Sequence, residues 1–374
     1  MVNMKVYLDN AATTKILDEF KEELLNIYTT YFANASSLHS PGKKTRYMLE
    51  KSREVIAKDL NVLTNDIFFT SGATESNNMI LKGVALSKGK GHIITSSIEH
   101  LSILNVCKYL EEKGFTLSYI KPNNKGIIEA KEIEKNLRED TILVTVMAVN
   151  NETGVRMPIE EIGNMLKEKN IFFHSDMTQL ILREKLDLAL FNVDAISASF
   201  HKFHGAKGSG FAYISSKHSI EKYIHGGHQE KNRRAGTENV HSIIFSAKVY
   251  EYLSNNIENN IKYIKNLRDY LIQNLEKFGD KIILNNSENT IPHIINIQIK
   301  DEDIEYLLPL FDMRGIFLSG GSACQSGAMK ASNVLMEQGL SEKEAKSSIR
   351  ISLSIQNKKE EIDYFIKVLD DIIK

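Results

Sequence analysis

The chain has 374 residues, 42% hydrophobic and 25% charged, the balance of a globular protein with room for a large α/β unit or two domains. Lys and Arg number 47 against 48 Asp and Glu, a formal net charge of −1, which gives no electrostatic ground for a nucleic-acid or membrane-surface partner. The two cysteines, Cys107 and Cys324, lie far apart with no Cys-x-x-Cys, which excludes a disulfide framework or zinc knuckle and fits a reducing cytosol.

In chain order, the opening MVNMKVYLDNAATT lacks the apolar core and cleavage site of a signal peptide, and a cytoplasmic location is expected. No apolar run approaches the ~18–20 residues needed to span a bilayer. A helix is predicted over 15–30. Candidate strands follow at 67–70, 92–96, 116–120, 142–147, 171–174, 194–199 and 210–214. Between them lie amphipathic stretches such as 100–113, where Ile103, Leu104, Val106, Cys107 and Leu110 recur at helical spacing and place Cys107 in the core. Strands alternating with such helices read as βαβ units on a mainly parallel sheet. After residue 240 the rhythm changes to a long helical stretch over 241–278, a strand over 290–299, and mixed helix and strand to the end.

Three stretches could carry chemistry. SGATES, 71–76, follows a strand and opens a helix, so it either offers backbone N–H groups to an anion or is a capping turn with Ser71 or Thr74 as the cap. HSDMTQ, 174–179, puts Asp176 immediately after the strand IFFH, on the side where ligands bind in open α/β sheets; its partner is a protonated ring nitrogen or a buried arginine. SFHKFHGAKGSG, 199–210, sets Lys202 among Ser199, His201 and glycines, as a Schiff-base lysine or a loop lysine. The pairs His201/His204 and His225/His228 lack the further ligands a metal wants, and no metal is expected. Cys324, in LSGGSACQSG, is a core filler, a ligand or a nucleophile.

The order of these stretches resembles the cysteine desulfurases, NifS/IscS group: pyridoxal-phosphate enzymes of fold type I in the class V aminotransferase family. The matching residues run from YLDNAATT through ANASSLHSPG, FTSGATESNN, HIITSSIEH, VNNETG, HSDMTQ, the HK at 201–202, GGHQEKNRRAGTENV and SGGSACQSG to SSIRISL, nearly the whole chain. The resemblance implies an α/β fold with a large cofactor domain over 15–248 and a smaller α+β domain from 1–14 and 249–374. It implies that Lys202 binds pyridoxal phosphate covalently, Asp176 pairs with the ring nitrogen, Gln179 with the ring oxygen, and His100 stacks on the ring and moves protons. Ala73, Thr74, Ser199 and His201 would hold the phosphate, with Thr237 reaching the partner's site in a homodimer. Asn151 would contact cofactor or substrate, Arg350 and Asn34 would bind the substrate carboxylate, and Cys324 would attack the substrate sulfur. L-cysteine would become L-alanine, and the persulfide sulfur would pass to an acceptor such as an iron–sulfur scaffold or a tRNA-thiolation protein.

Several positions depart from that family's pattern. Phe200 stands for a glycine before His201, Met177 for an alanine against the ring, and Leu182 for a glycine beyond Gln179. Ala35, Ala206 and Ala331 stand for prolines, and Ser354-Ile355 for Gly-Arg. A phenylalanine at positive φ would be strained, and a methionine over the ring would crowd it. Selenocysteine lyase or another cysteine lyase, and a weakened scaffold binding a sulfur-transfer partner, are the alternatives to the desulfurase.

Overall fold

The computed structural model describes residues 4–286, 288–321 and 331–373. Its strands are β1 (Val6–Tyr7), β2 (Ile67–Thr70), β3 (His92–Ser96), β4 (Thr116–Ile120), β5 (Thr141–Thr145), β6 (Phe172–Asp176), β7 (Ala195–Ser199), β8 (Gly210–Ile214), β9 (Ile282–Leu284), β10 (Ile294–Ile299), β11 (Ile316–Phe317) and β12 (Ser348–Ser352). Seven form one sheet in the order β2-β8-β7-β6-β5-β3-β4. Only β8 runs against the rest, pairing antiparallel with both β2 and β7.

Adjacent residues along these strands face opposite cores, as the two-residue strand period requires. Phe69, Ile94, Val144, Phe173 and Ile196 join one apolar cluster with helices Ser40–Asp59, Ile159–Glu168 and Val240–Asn255. Phe68, Ile93, Leu143, Phe172 and Ala195 join another with helices Ala73–Lys88 and Leu101–Glu112. A sheet covered on both faces gives short runs that are apolar throughout, which is why these strands stood out in the sequence. Cys107 lies in the second cluster, fully buried.

A third cluster gathers Val6, Leu8 and residues from Ile264 to Ile373. It is built on the antiparallel set β12-β10-β9, the parallel pair β1-β11, and helices Ile257–Leu275, Ile304–Met313 and Lys359–Ile372. The helix expected over 241–278 is two helices, because Asn256 leaves the helical region (φ −113, ψ 13) between them. The helix expected over 15–30 is a short turn, Asp18–Phe20, and a helix, Lys21–Thr30. Phe20 packs edge-on to Phe245 and Tyr252, so this segment sits on the first core. No helix of the described residues is long and apolar enough to cross a membrane.

Candidate active site

Strand β6 extends to Asp176, so the carboxylate ends the strand instead of following it. Around it opens a cavity of about 280 Å³ lined by Ala73, Thr74, His100, Asn151, Asp176, Gln179, Ser199, His201, Lys202 and Arg350, with Ala11, Ala12, Ser102, Met147, Val149 and Thr178. The wall comes from the carboxyl ends of parallel strands, as expected of an open α/β sheet. A larger depression of about 690 Å³ lies elsewhere, beside Ile171 and Val193 at the opposite strand ends, and holds none of these residues.

At one end of the cavity, helix Ala73–Lys88 begins on Gly72, which offers no side-chain cap, so neither Ser71 nor Thr74 caps it. Ser199 Oγ accepts from Ala73 N–H at 2.7 Å. This close approach depends on small residues. A Cβ on Gly210 would fall 2.4 Å from Ala198 O and 2.7 Å from Gly72 Cα. Glu75, in the first turn, accepts from Ser71 N–H and pairs with Arg234 at 2.7 Å, which ties the 226–240 segment to this helix.

At the other end, Asp176 meets no arginine among the described residues. Its Oδ2 accepts from Asn77 Nδ2 at 2.8 Å and its Oδ1 from Thr178 N–H at 3.0 Å. Gln179 Nε2 donates to Ala11 O at 2.9 Å. Lys202 is half-buried in the turn after β7 and its Nζ donates to Ala11 O and Ala12 O at 2.7 and 2.8 Å. The chain's N-terminal segment thus forms a wall of the cavity.

His100 caps helix Leu101–Glu112, its Nδ1 accepting from Ser102 N–H at 3.1 Å. Burial and the nearby Lys202 charge hold its pKa below the ordinary value, against an opposing pull from Asp176. His201 is pushed down to about 4 by burial, then by Lys202 and Lys207, so it is neutral at pH 7. Arg350 is almost fully buried; its guanidinium donates to Asn151 O at 2.7 Å and to Asp9 Oδ1 at 2.8 Å. Its Nε is buried with no hydrogen-bond partner among the described residues.

Among the other expected site residues, Asn34 and Thr237 are exposed and outside this cavity of the single chain. Cys324 falls in residues 322–330, which lie outside the described residues. Among the described residues, no cluster of three or more His, Cys, Asp or Glu could hold a metal ion. His201 Nδ1 meets Thr13 Oγ1 and His204 Nδ1 donates to Lys15 O, so that pair does not converge.

The expected crowding does not occur. Phe200 has a negative φ and its ring packs away from the cavity against Phe69, Phe203 and Phe211. Met177 is wholly buried in the first core and does not line the cavity. Leu182 does adopt the left-handed conformation, φ 59, that a glycine would take without strain. Asn77, Ser102 and Asp9 were missed in the sequence. Asn77 sits four residues from Ala73 on the same helix face, a spacing that could have flagged it.

The aminotransferase class-V model matches residues 6–365. A cysteine desulfurase IscS of Clostridium botulinum is 41% identical over 378 residues, covering 100% of this chain and 95% of that protein. Another of Dictyoglomus turgidum is 40% identical over 374 residues, covering 99% and 95%. A solved NifS-like protein superposes with a TM-score of 0.93 at 37% identity, covering 99% of each chain. With one family model spanning nearly its whole length, and relatives of that likeness covering it from end to end, the chain belongs to the class-V aminotransferase family.

Proposed function

We propose that the chain is a pyridoxal-phosphate-dependent cysteine desulfurase, converting L-cysteine to L-alanine and leaving the sulfur as a persulfide on Cys324. One observation carries this reading: a single cavity gathers an amine, a carboxylate, a histidine, a helix N-terminus with no side chain on its capping residue, and a buried arginine.

The donor set fits pyridoxal phosphate. The helix N-terminus at Gly72, with Thr74, Ser199 and His201, suits a phosphate dianion. Asp176 lies where it would balance a protonated ring nitrogen, with Gln179 on the turn that follows it. When bound, the cofactor supplies an electron sink that opens the amino acid's sulfur to attack. Lys202 supplies the amine that holds the cofactor, and His100 the proton-carrying group beside it. Arg350 takes the substrate carboxylate: Asn151 O and Asp9 use one N–H on each terminal nitrogen and orient the guanidinium, and its remaining N–H groups are the donors for the carboxylate. Cys324 takes the sulfur: its thiolate forms the S–S bond as the substrate C–S bond breaks, and alanine leaves with a proton on Cβ.

The working unit in this reading is a cytoplasmic homodimer that passes sulfur to an acceptor protein serving iron–sulfur clusters or tRNA thiolation. Leu25, Tyr28, Phe32 and Tyr47 are exposed on and beside the first two helices, an apolar surface that suits a second copy, with Asn34 and Thr237 completing sites across the interface. The large domain runs over 15–248 and the small one takes 1–14 and 249–374. Helix Val240–Asn255 runs through that boundary, and its Val249, Tyr250 and Leu253 join the first core.

The test is alanine and sulfide release from L-cysteine with a reductant, comparing wild type, Cys324→Ala and Lys202→Ala. Loss in both variants is expected. Activity that survives Cys324→Ala indicates a lyase, including one for selenocysteine, and none in wild type indicates a scaffold.

A further inference from the structure

We propose that Asn77 and Ser102 are positioning residues for His100, holding its imidazole with the proton on Nε2 and linking it to the Asp176 carboxylate. This rests on the reading of His100 and Asp176 given above.

The geometry runs through three contacts of equal length. Asn77 Nδ2 donates to Asp176 Oδ2 at 2.8 Å and to Ser102 Oγ at 2.8 Å. Ser102 Oγ in turn meets His100 Nδ1 at 2.8 Å. An ionised carboxylate only accepts, so the amide must turn its NH2 toward Asp176, and that fixes the direction of everything beyond. Both amide protons are then spent, one on Asp176 and one on Ser102. The Ser102 hydroxyl, already accepting from Asn77, has one proton left, and it goes to His100 Nδ1. That nitrogen also accepts from Ser102 N–H at 3.1 Å. Two donors on Nδ1 leave the ring proton on Nε2, the nitrogen with no hydrogen bond to any described residue.

The consequence is chemical. His100 lines the cavity and offers it a hydrogen-bond donor, not a lone pair. The chain of contacts cannot carry protons through, because the Asn77 group facing Ser102 is an NH2 with no acceptor. It orients the ring. Asn77 and Ser102 are themselves buried, so solvent does not compete with the bonds from Asn77 to Ser102 and to Asp176. Asn77 Oδ1 is left buried without a partner, so the side chain keeps this orientation even at the cost of an unmet acceptor.

The test uses cofactor-loaded and cofactor-free protein with 15N-labelled histidine, the His100 resonances being assigned with His100→Gln. Wild type is expected to show an unprotonated Nδ1 and a protonated Nε2 in both forms. In Ser102→Ala and Asn77→Ala the two shifts should move toward each other as tautomers mix, and Ser102→Thr should restore them. Alanine formation should fall about tenfold in kcat in the two disruptive variants, with KM for L-cysteine changed less than about twofold. A wild-type ring protonated on Nδ1 overturns the proposal, even should the variants fail to fold. So do unchanged shifts in both disruptive variants. Wild type with the stated tautomer but no alanine production removes the desulfurase reading and leaves this assignment standing.

Discussion

Phe200 and Glu99 show how far a single side chain's role depends on where its bulk is placed. The ring of Phe200 fills space among Phe69, Phe203 and Phe211, beneath the lysine turn and away from the cavity. Phe200→Gly should therefore cost about 3–5 kcal/mol in urea unfolding, without improving turnover. Glu99 is buried next to His100 in the chain, accepting from Ser96 Oγ at 2.5 Å and Met147 N–H at 2.9 Å. Burial pushes its carboxyl from an ordinary 4.5 up to about 8. The folded chain keeps a proton that the unfolded chain releases, so this group's contribution to stability is complete below about pH 4.5 and lost as pH rises through about 8. Glu99→Gln keeps the accepting oxygen and should raise the melting temperature more at pH 8 than at pH 5. An equal change at both pH values would contradict the assignment. The sequence pattern showed which residues carry charge and hydroxyls, yet it could not show that Phe200 turns inward, because side-chain direction depends on packing partners distant in the chain.

The elements that build the site join strand ends to helix starts, and that is the part of the architecture most legible beforehand. Seven short runs named the strands of the large sheet: six are buried along nearly their whole length, and only the edge strand β4 is largely exposed. Boundaries were less visible: β6 reaches Asp176, and Asn256 splits what reads as one helix, because a single non-helical residue leaves the apolar periodicity nearly intact. The first turn of helix Ala73–Lys88 is set against the end of β7 through Gly72 and Gly210. Gly210→Ala would push a methyl into Ala198 O and Gly72 Cα, so the helix start must shift from Ser199. Cofactor affinity should fall at least about tenfold, read by equilibrium dialysis of the apo protein, while far-UV circular dichroism stays unchanged.

Across the molecule, the cavity is assembled by residues from both ends of the chain: Ala11 and Ala12 near the start, Arg350 near the finish. Asp9, in the first segment, pairs with Arg350, so the same contact that closes the fold orients the group assigned to the substrate carboxylate. Asp9→Asn should raise KM for L-cysteine about tenfold with a smaller change in kcat, as loss of a binding contact rather than a chemical one. No local pattern in the sequence reveals this pairing, since its partners lie at opposite ends and meet only through the fold. The chain has two cysteines as possible sulfur acceptors, of which Cys107 lies among the described residues. Cys107 is wholly buried on a helix face and its thiol is pushed up to about 12, chiefly by burial, so it cannot supply a thiolate near neutrality. The most direct measurement is peptide mass analysis after cofactor-loaded protein meets L-cysteine without reductant. The expected result is one added sulfur atom on the Cys324 peptide, in step with alanine formed, none on Cys107, and neither product in Lys202→Ala. Alanine released with no sulfur on Cys324 would contradict the account.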